Sequence, residues 1–420
     1  MEDAGLGAFL RPLTIIGGGW AGLAAAVRAT ERGFAVRLLE AAPQLGGRAR
    51  RVMHQGLALD NGQHILIGAY RDTLQLLTTV GVATQDSLWR MPLHLHNLAG
   101  HGVSLPQLPA PWNLLAGILS AQGWSWADKF SILRAATLWQ RQGFRCDPAL
   151  TVAEICQALQ PRVMKQLIEP LCVSALNLPA SQASAQVFLT VLHDAVWTGQ
   201  GSSDMLLPKV DLGRLMPDAA HAWLSSHGAE VHTHQRVDAI EPWLTHSVLL
   251  ACPPWEAARL TQSLAPEWSA LAAGLVHTAI TTVYVRTQQR LGWSYPLLAL
   301  DENAQTPAQF AFDKGRLSAD PAMKGVLALV VSASSTDRDK LSTQVLQQVH
   351  DQLGLHDATL ITTVVEKRAT FACLPALVRP SMQVSKGVFA CGDYVAGPYP
   401  ATLEAAVRSG FAAIEALAQV

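Results

Sequence analysis

Apolar runs and the residues that interrupt them divide the chain into recognisable elements. Thr14-Ile-Ile is a short apolar run that stops at Gly17-Gly-Gly19, and the alanine-rich stretch behind it reaches Val27, which predicts a strand turning sharply into a helix. A second apolar run begins at Val36 and ends on the acid Glu40. Further along, Leu212 to Leu224 has helical spacing, Glu230 to Ile240 reads as strand, and Ser247-Val-Leu-Leu-Ala-Cys-Pro-Pro254 reads as a buried strand ending on prolines. Near the C-terminus, Gly387-Val-Phe-Ala-Cys-Gly-Asp393 predicts another buried strand. Pro400 to Gly410 predicts a helix entered through a proline.

The first of these elements carries a chemistry. Gly17-x-Gly19-x-x-Gly22 sits between strand and helix, and Glu40 follows 18 positions after Gly22. Gly17 permits the tight turn, Gly19 lets backbone approach a pyrophosphate, and Gly22 lets the helix pack closely on the strand. The helix N-terminus attracts phosphate, and Glu40 accepts hydrogen bonds from a ribose hydroxyl. Strand, glycines, helix, second strand and acid in register predict a dinucleotide site.

Directly after the acid comes Gly46-Gly47-Arg48, where two glycines allow close backbone approach and Arg48 offers a guanidinium. With Gly392-Asp393 and the helix start near Thr402, this pattern resembles the flavin monooxygenase and amine oxidase superfamily. The resemblance implies FAD as cofactor. Gly46, Gly47 and Arg48 would lie along the flavin and its diphosphate, Asp393 of the Gly392-Asp393 pair on the ribityl chain, and the amides near Thr402 against the flavin ring. The backbone around Val237 would contact adenine. The fold class implied is α/β, a Rossmann-type FAD-binding domain interleaved with an α+β substrate domain. We expect residues 12–74, 200–265 and 365–420 to form the former, and 75–199 and 266–364 the latter.

Composition limits the remaining options. Half of the 420 residues are hydrophobic and 15% are charged, yet no apolar run approaches the roughly 18 residues of a spanning helix. A net charge of −1 gives no basic field, so nucleic acid is not an expected partner. Met1-Glu-Asp-Ala carries acids where an export signal needs positive charge, so we expect no such signal and a cytoplasmic protein. The six cysteines form no Cys-x-x-Cys pair and read as reduced core residues. The fourteen histidines show no ligand spacing, so no metal is expected.

Substrate chemistry rests on the middle of the chain. From Pro109 to Gly143 apolar residues cover much of two helices, which either pack a core or form a greasy face for lipid entry. Core packing is the plainer reading. The alternative is peripheral contact with the inner face of the cytoplasmic membrane, with Trp112, Trp124 and Trp126 at the interface. The segments Asp60 to Tyr70, Glu169 to Ala185 and Pro400 to Glu404 together resemble the squalene-associated FAD-dependent desaturase family, and in particular its hydroxysqualene dehydroxylase branch of hopanoid biosynthesis. That resemblance spans nearly the whole chain and implies a long isoprenoid substrate, hydroxysqualene, reduced to squalene.

Such a step needs a proton donor for the leaving hydroxyl. Asp60 and His64 lie in a segment that passes beside the flavin in relatives, and both are candidates; a buried Asp60 would be protonated and His64 would titrate near neutrality. Equally, Asp60-Asn-Gly is turn chemistry and His64 a residue that satisfies backbone groups. Tyr394 and Tyr399 are further donors. Amine oxidases of the superfamily place an aromatic residue two positions before the glutamate of the last helix; here that position is Thr402, which argues against an amine substrate. An isoprenoid desaturase and a non-catalytic flavin-bound isoprenoid carrier are the alternatives. The single dinucleotide fingerprint is assigned to FAD, so the external electron donor is not legible.

Overall fold

The structure, a computed structural model, describes residues 11–419. The leading segment on which the export expectation rests lies in residues 1–10, outside the described residues. A six-stranded sheet runs in the order Glu230–His232, Phe34–Leu39, Arg11–Ile16, Ser247–Leu250, Val388–Ala390, Gln383–Ser385. The first five strands are parallel and the last is antiparallel. Arg11–Ile16 is buried from Leu13 to Ile16, as expected of a central strand covered on both faces.

The Trp20–Glu31 helix follows and packs against the Leu403–Ala418 helix. Small residues make that contact close: Ala24 and Ala25 are fully buried, and a Cβ on Gly410 would stand 2.5 Å from the Ala21 carbonyl oxygen. The α/β nucleotide-binding fold expected from the sequence is the one observed.

Three local expectations change. The Leu212 to Leu224 stretch is two helices, Leu212–Leu215 and Pro217–Ser226, because Pro217 cannot continue the preceding turn and instead starts the next. The Glu230 strand stops at His232, since His234 turns left-handed at φ 57° and the chain leaves the sheet. Pro400 lies before the last helix, whose cap is Thr402: its Oγ1 accepts the Ala405 N–H at 3.1 Å.

A second, five-stranded antiparallel sheet has the order Leu297–Ala299, Phe310–Asp313, Val326–Ser334, His277–Arg286, Thr359–Phe371. Its period-two alternation serves two cores. Val283, Val285 and Leu329 pack with Val345 and Val349 of the Arg338–Leu353 helix, while Tyr284, Phe312 and Val330 face the other way. Over that second face lie the helices Trp112–Ser120, Trp126–Arg141, Glu169–Leu176 and Ala185–Trp197. A single π turn, Met164–Ile168, precedes Pro170, whose missing N–H cannot serve the α-helical ladder. At the end of that helix Asn177, left-handed at φ 52°, fastens helix to sheet. Its Nδ2 donates to Thr278 Oγ1 at 2.8 Å and Thr370 Oγ1 at 3.0 Å, and its Oδ1 accepts the Ala333 N–H at 2.6 Å.

Candidate cofactor and substrate site

Two glycine turns face each other at the C-terminal ends of the parallel strands. The Gly46 N–H donates to the Gly18 carbonyl at 2.8 Å, and a Cβ on Gly47 would lie 3.1 Å from the Gly19 Cα. A Cβ on Gly22 would collide with the Gly17 oxygen at 1.9 Å, and one on Gly17 with the Ala251 oxygen at 2.6 Å. Gly19 ends the turn as the cap of the Trp20–Glu31 helix, with no side chain bonded to the helix amides. Those amides are therefore open to an anion. Glu40 anchors the turn: its Oε2 accepts the Gly18 N–H and its Oε1 the Ala42 N–H, each at 2.7 Å. The adjacent loop carries Val237, buried, whose carbonyl accepts from Arg259 at 2.8 Å; Gln235 N–H donates to the Glu40 carbonyl at 2.8 Å.

A polar cluster continues from there. Arg48 donates to Asp393 Oδ1 at 2.6 Å and to the Ala369 carbonyl at 2.7 Å. Arg379 holds the same loop, donating to the Asp393 carbonyl at 3.2 Å and the Tyr399 carbonyl at 2.9 Å. The Gly392 N–H donates to Ser409 Oγ at 2.8 Å on the last helix. Beside it the Tyr394 hydroxyl is buried with no partner among the described residues. Tyr399 is engaged, donating to Asp194 and accepting from Arg408 at 2.8 Å.

The uncapped helix end, the glycine cradle that side chains would fill and the orphaned Tyr394 hydroxyl together fit a bound dinucleotide. Gly17, Gly19, Gly22, Glu40, Gly46, Gly47, Arg48, Val237, Gly392, Asp393 and Thr402 lie on the strand ends, loops and helix starts of one sheet.

Neither proton-donor candidate is placed to give a proton. Both Asp60 oxygens act as acceptors, Oδ2 from Lys314 Nζ at 3.1 Å and Oδ1 from the Leu212 N–H at 2.8 Å. Burial holds the His64 imidazole below its ordinary range, so it is neutral at pH 7. Its Nδ1 then donates to the Gly62 carbonyl at 3.2 Å, leaving Nε2 as an acceptor. The turn and backbone-satisfying roles describe these two residues better.

A cavity of about 240 Å³ with an overwhelmingly apolar lining reaches the Asp60 turn at Gln63. The second sheet contributes Ile280, Phe310, Phe312 and Val330; the helices contribute Ile118, Ile132, Trp139, Phe188 and Leu192. Leu171, Val173, Ser174 and Ala175 come from the Glu169 segment that carried the family resemblance. Gln63 and Tyr70 are among its few polar residues, and sequence reasoning passed over both. The Tyr70 hydroxyl lies beside Thr402 and Glu404; burial, with Glu404 nearby, pushes its pKa well above the ordinary phenol value. The signal for both was their position inside the Asp60 to Tyr70 segment, flanking the apolar Ile65-Leu-Ile67.

The Pro109 to Gly143 region divides between a cavity-facing side and an exposed side. Leu114, Ile118, Ile132 and Ala136 face the cavity, while Trp112, Trp126, Phe130 and Leu138 are exposed, the first three by 62%, 65% and 65%. Trp124 differs from the expectation: it is buried, its Nε1 donating to Gln166 Oε1 at 2.7 Å. Among the described residues no helix is long and apolar enough to cross a membrane. Five cysteines are buried and Cys146 is half-buried, none of them in a disulfide.

Comparison with known proteins agrees with this geometry. The family described as flavin containing amine oxidoreductase matches residues 20–417. A hydroxysqualene dehydroxylase from Zymomonas mobilis is 24% identical over 94% of this chain and 96% of its own length. Another from Rhodopseudomonas palustris is 25% identical, again over 94% and 96%. The crystal structure of an oxidoreductase from Methanosarcina mazei superposes with a TM-score of 0.72 at 15% identity, covering 96% of this chain and all of that one. The chain thus belongs to the flavin-containing amine oxidoreductases, and it is an FAD-dependent oxidoreductase of the α/β nucleotide-binding fold.

Proposed function

We propose that the protein removes the hydroxyl of hydroxysqualene to give squalene. The observation that carries this reading is the cavity: a space lined by aliphatic and aromatic side chains, with Tyr70 linking it to Thr402, suits a hydrocarbon. The names of the two curated relatives point to the same substrate.

In this reading residues 12–74, 200–265 and 365–420 hold FAD, and 75–199 and 266–364 hold the substrate. Gly17, Gly19 and Gly22 admit the pyrophosphate to the helix end, Glu40 takes the ribose, and Val237 faces adenine. Gly46, Gly47, Arg48, Gly392 and Asp393 would line the remainder, and the amides behind Thr402 would stabilise negative charge on the ring when reduced. When bound and reduced, FAD would supply a hydride. The net change breaks a C–O bond, forms a C–H bond and releases the hydroxyl as water, so one proton must come from a donor at the substrate oxygen. Tyr70, kept protonated by burial, is the donor we assign in place of Asp60 and His64. The apolar walls exclude bulk water, which otherwise captures an allylic cation.

A specific observation also favours peripheral membrane contact. Trp112, Trp126 and Phe130 are exposed on helices whose opposite sides line the cavity, an arrangement that suits lipid entering from the inner face of the cytoplasmic membrane.

The test is anaerobic. Chemically reduced, FAD-loaded protein is mixed with hydroxysqualene, the visible flavin absorbance is followed and the lipid extracted. Reoxidation with squalene formed is the expected result. Bleaching of the oxidised protein by squalene or a carotenoid precursor would instead identify a desaturase, and stoichiometric binding without redox change a carrier.

A further inference from the structure

An ion pair is buried behind the cavity wall. Lys314 opens the short Lys314–Leu317 helix after the Phe310–Asp313 strand and is 4% exposed. Its Nζ lies 3.1 Å from Asp60 Oδ2 and 3.2 Å from Gln63 Oε1. The Tyr284 hydroxyl clasps the turn from below, accepting the Asp60 N–H at 3.2 Å and donating to the Asp60 carbonyl at 2.9 Å. Burying such a pair seldom stabilises a fold more than apolar side chains of the same volume, so its presence asks for another reason.

Gln63 supplies one. Of these residues it is the one that lines the cavity. Glutamine amides are ordinarily ambiguous in orientation, but an ammonium has no acceptor, so the Gln63 oxygen must face Lys314 and its Nε2 must face away. The protein partner of that Nε2 is the His64 carbonyl at 3.4 Å, a long contact that leaves donor capacity unused. The neighbouring ammonium polarises the amide and strengthens it as a donor. The serine hydroxyls of the cavity can rotate to donate or accept; Gln63 is fixed as a donor.

We propose that Gln63 is a specificity-determining residue whose amide N–H binds the oxygen of an oxygenated isoprenoid, with Lys314 and Asp60 as positioning residues that fix its orientation. This rests on the substrate class proposed above and adds the reason the site distinguishes substrate from product. A hydroxyl satisfies the oriented N–H, whereas the hydrocarbon strips its water and returns nothing. Discrimination at this position favours binding of the alcohol and release of the alkene.

The experiment titrates FAD-loaded protein with hydroxysqualene and with squalene in detergent, reading perturbation of the flavin absorbance, with thermal melts to establish folding. The wild type is expected to bind hydroxysqualene about tenfold more tightly than squalene. Gln63→Leu and the isosteric Gln63→Glu are expected to weaken hydroxysqualene alone and bring the two affinities together. The neutral double variant Lys314→Met, Asp60→Asn should reduce the preference with Gln63 still present, and Lys314→Arg should retain it. A preference undiminished in both Gln63 variants overturns the assignment while leaving the proposed function intact. If the wild type binds neither lipid, both fall.

Discussion

Arg48 and Asp393 meet at 2.6 Å although 345 positions separate them, and their contact joins the glycine loop of the first strand pair to the loop after the last strand. The Asp393 side chain is 8% exposed and that of Arg48 33%, so water screens the pair from the arginine side. We expect Asp393→Ala and Arg48→Met each to weaken FAD binding by about tenfold or more, as loss of a charge-assisted contact does. Flavin retention on gel filtration and fluorescence titration of the apoprotein check this. Full retention in both variants would remove the pair from the cofactor site.

Gly22 and Gly33 separate crowding from strain. Gly22→Ala puts a methyl 1.9 Å from the Gly17 oxygen, in backbone that cannot yield, so flavin-loaded protein should not be recovered. Gly33 has φ +77° with nothing within 4 Å, and Gly33→Ala should cost about 1 kcal/mol of left-handed strain while flavin binding stays normal. Absorbance near the flavin maximum and thermal melts distinguish the two.

Asn177→Ala removes a side chain that fastens helix to sheet at three places. It leaves the Ala333 N–H without its acceptor and two half-buried threonine hydroxyls short of a donor. A loss of about 2–3 kcal/mol is expected, seen as a lower midpoint in urea at constant slope. Asn177→Asp should be destabilised too, because the carboxylate cannot donate.

The exposed aromatic face gives a binding prediction. Changing Trp112, Trp126 and Phe130 together to serine should abolish flotation with anionic liposomes and leave the melting temperature within a few degrees, since all three side chains are largely in solvent. Wild-type protein that fails to float at low salt would rule out a stable surface contact.

Stability should fall on the acid side. Burial and the stacked His96 ring lower the His94 pKa from 6.5 to about 4. The unfolded chain therefore binds a proton at this position before the folded one does. The stabilising contribution of neutral His94 is present above pH 6.5 and is lost progressively as pH falls toward 4. His94→Asn should flatten part of that limb in denaturant titrations at several pH values, the other partly buried histidines with lowered pKa supplying the rest.

Much of this protein is local in origin and was therefore legible. A Gly-x-Gly-x-x-Gly turn between an apolar strand and an alanine-rich helix is set by conformations available to neighbouring residues, and the acid 18 positions later belongs to the same unit. Gly46, Gly47 and Arg48 follow within that unit, and the Gly392-Asp393 strand end and the helix start at Thr402 were equally readable. What failed locally failed for local reasons as well: Pro217 divided one expected helix, and left-handed His234 ended one expected strand.

The surroundings of Asp60 were hidden for a different reason. Nothing near Asp60 in the sequence announces Lys314, which arrives 254 positions later from the second sheet and turns a candidate acid into an acceptor. Gln63 and Tyr70 acquire their meaning the same way, by facing a cavity closed by the strand bearing Phe310 and the helices around Ile118 and Phe188. The sequence by itself determined the nucleotide fold and its cofactor, because a repeated backbone geometry needs particular residues at fixed spacing. Only the tertiary structure decided which polar groups line the cavity, because partner and orientation depend on distant segments brought into contact.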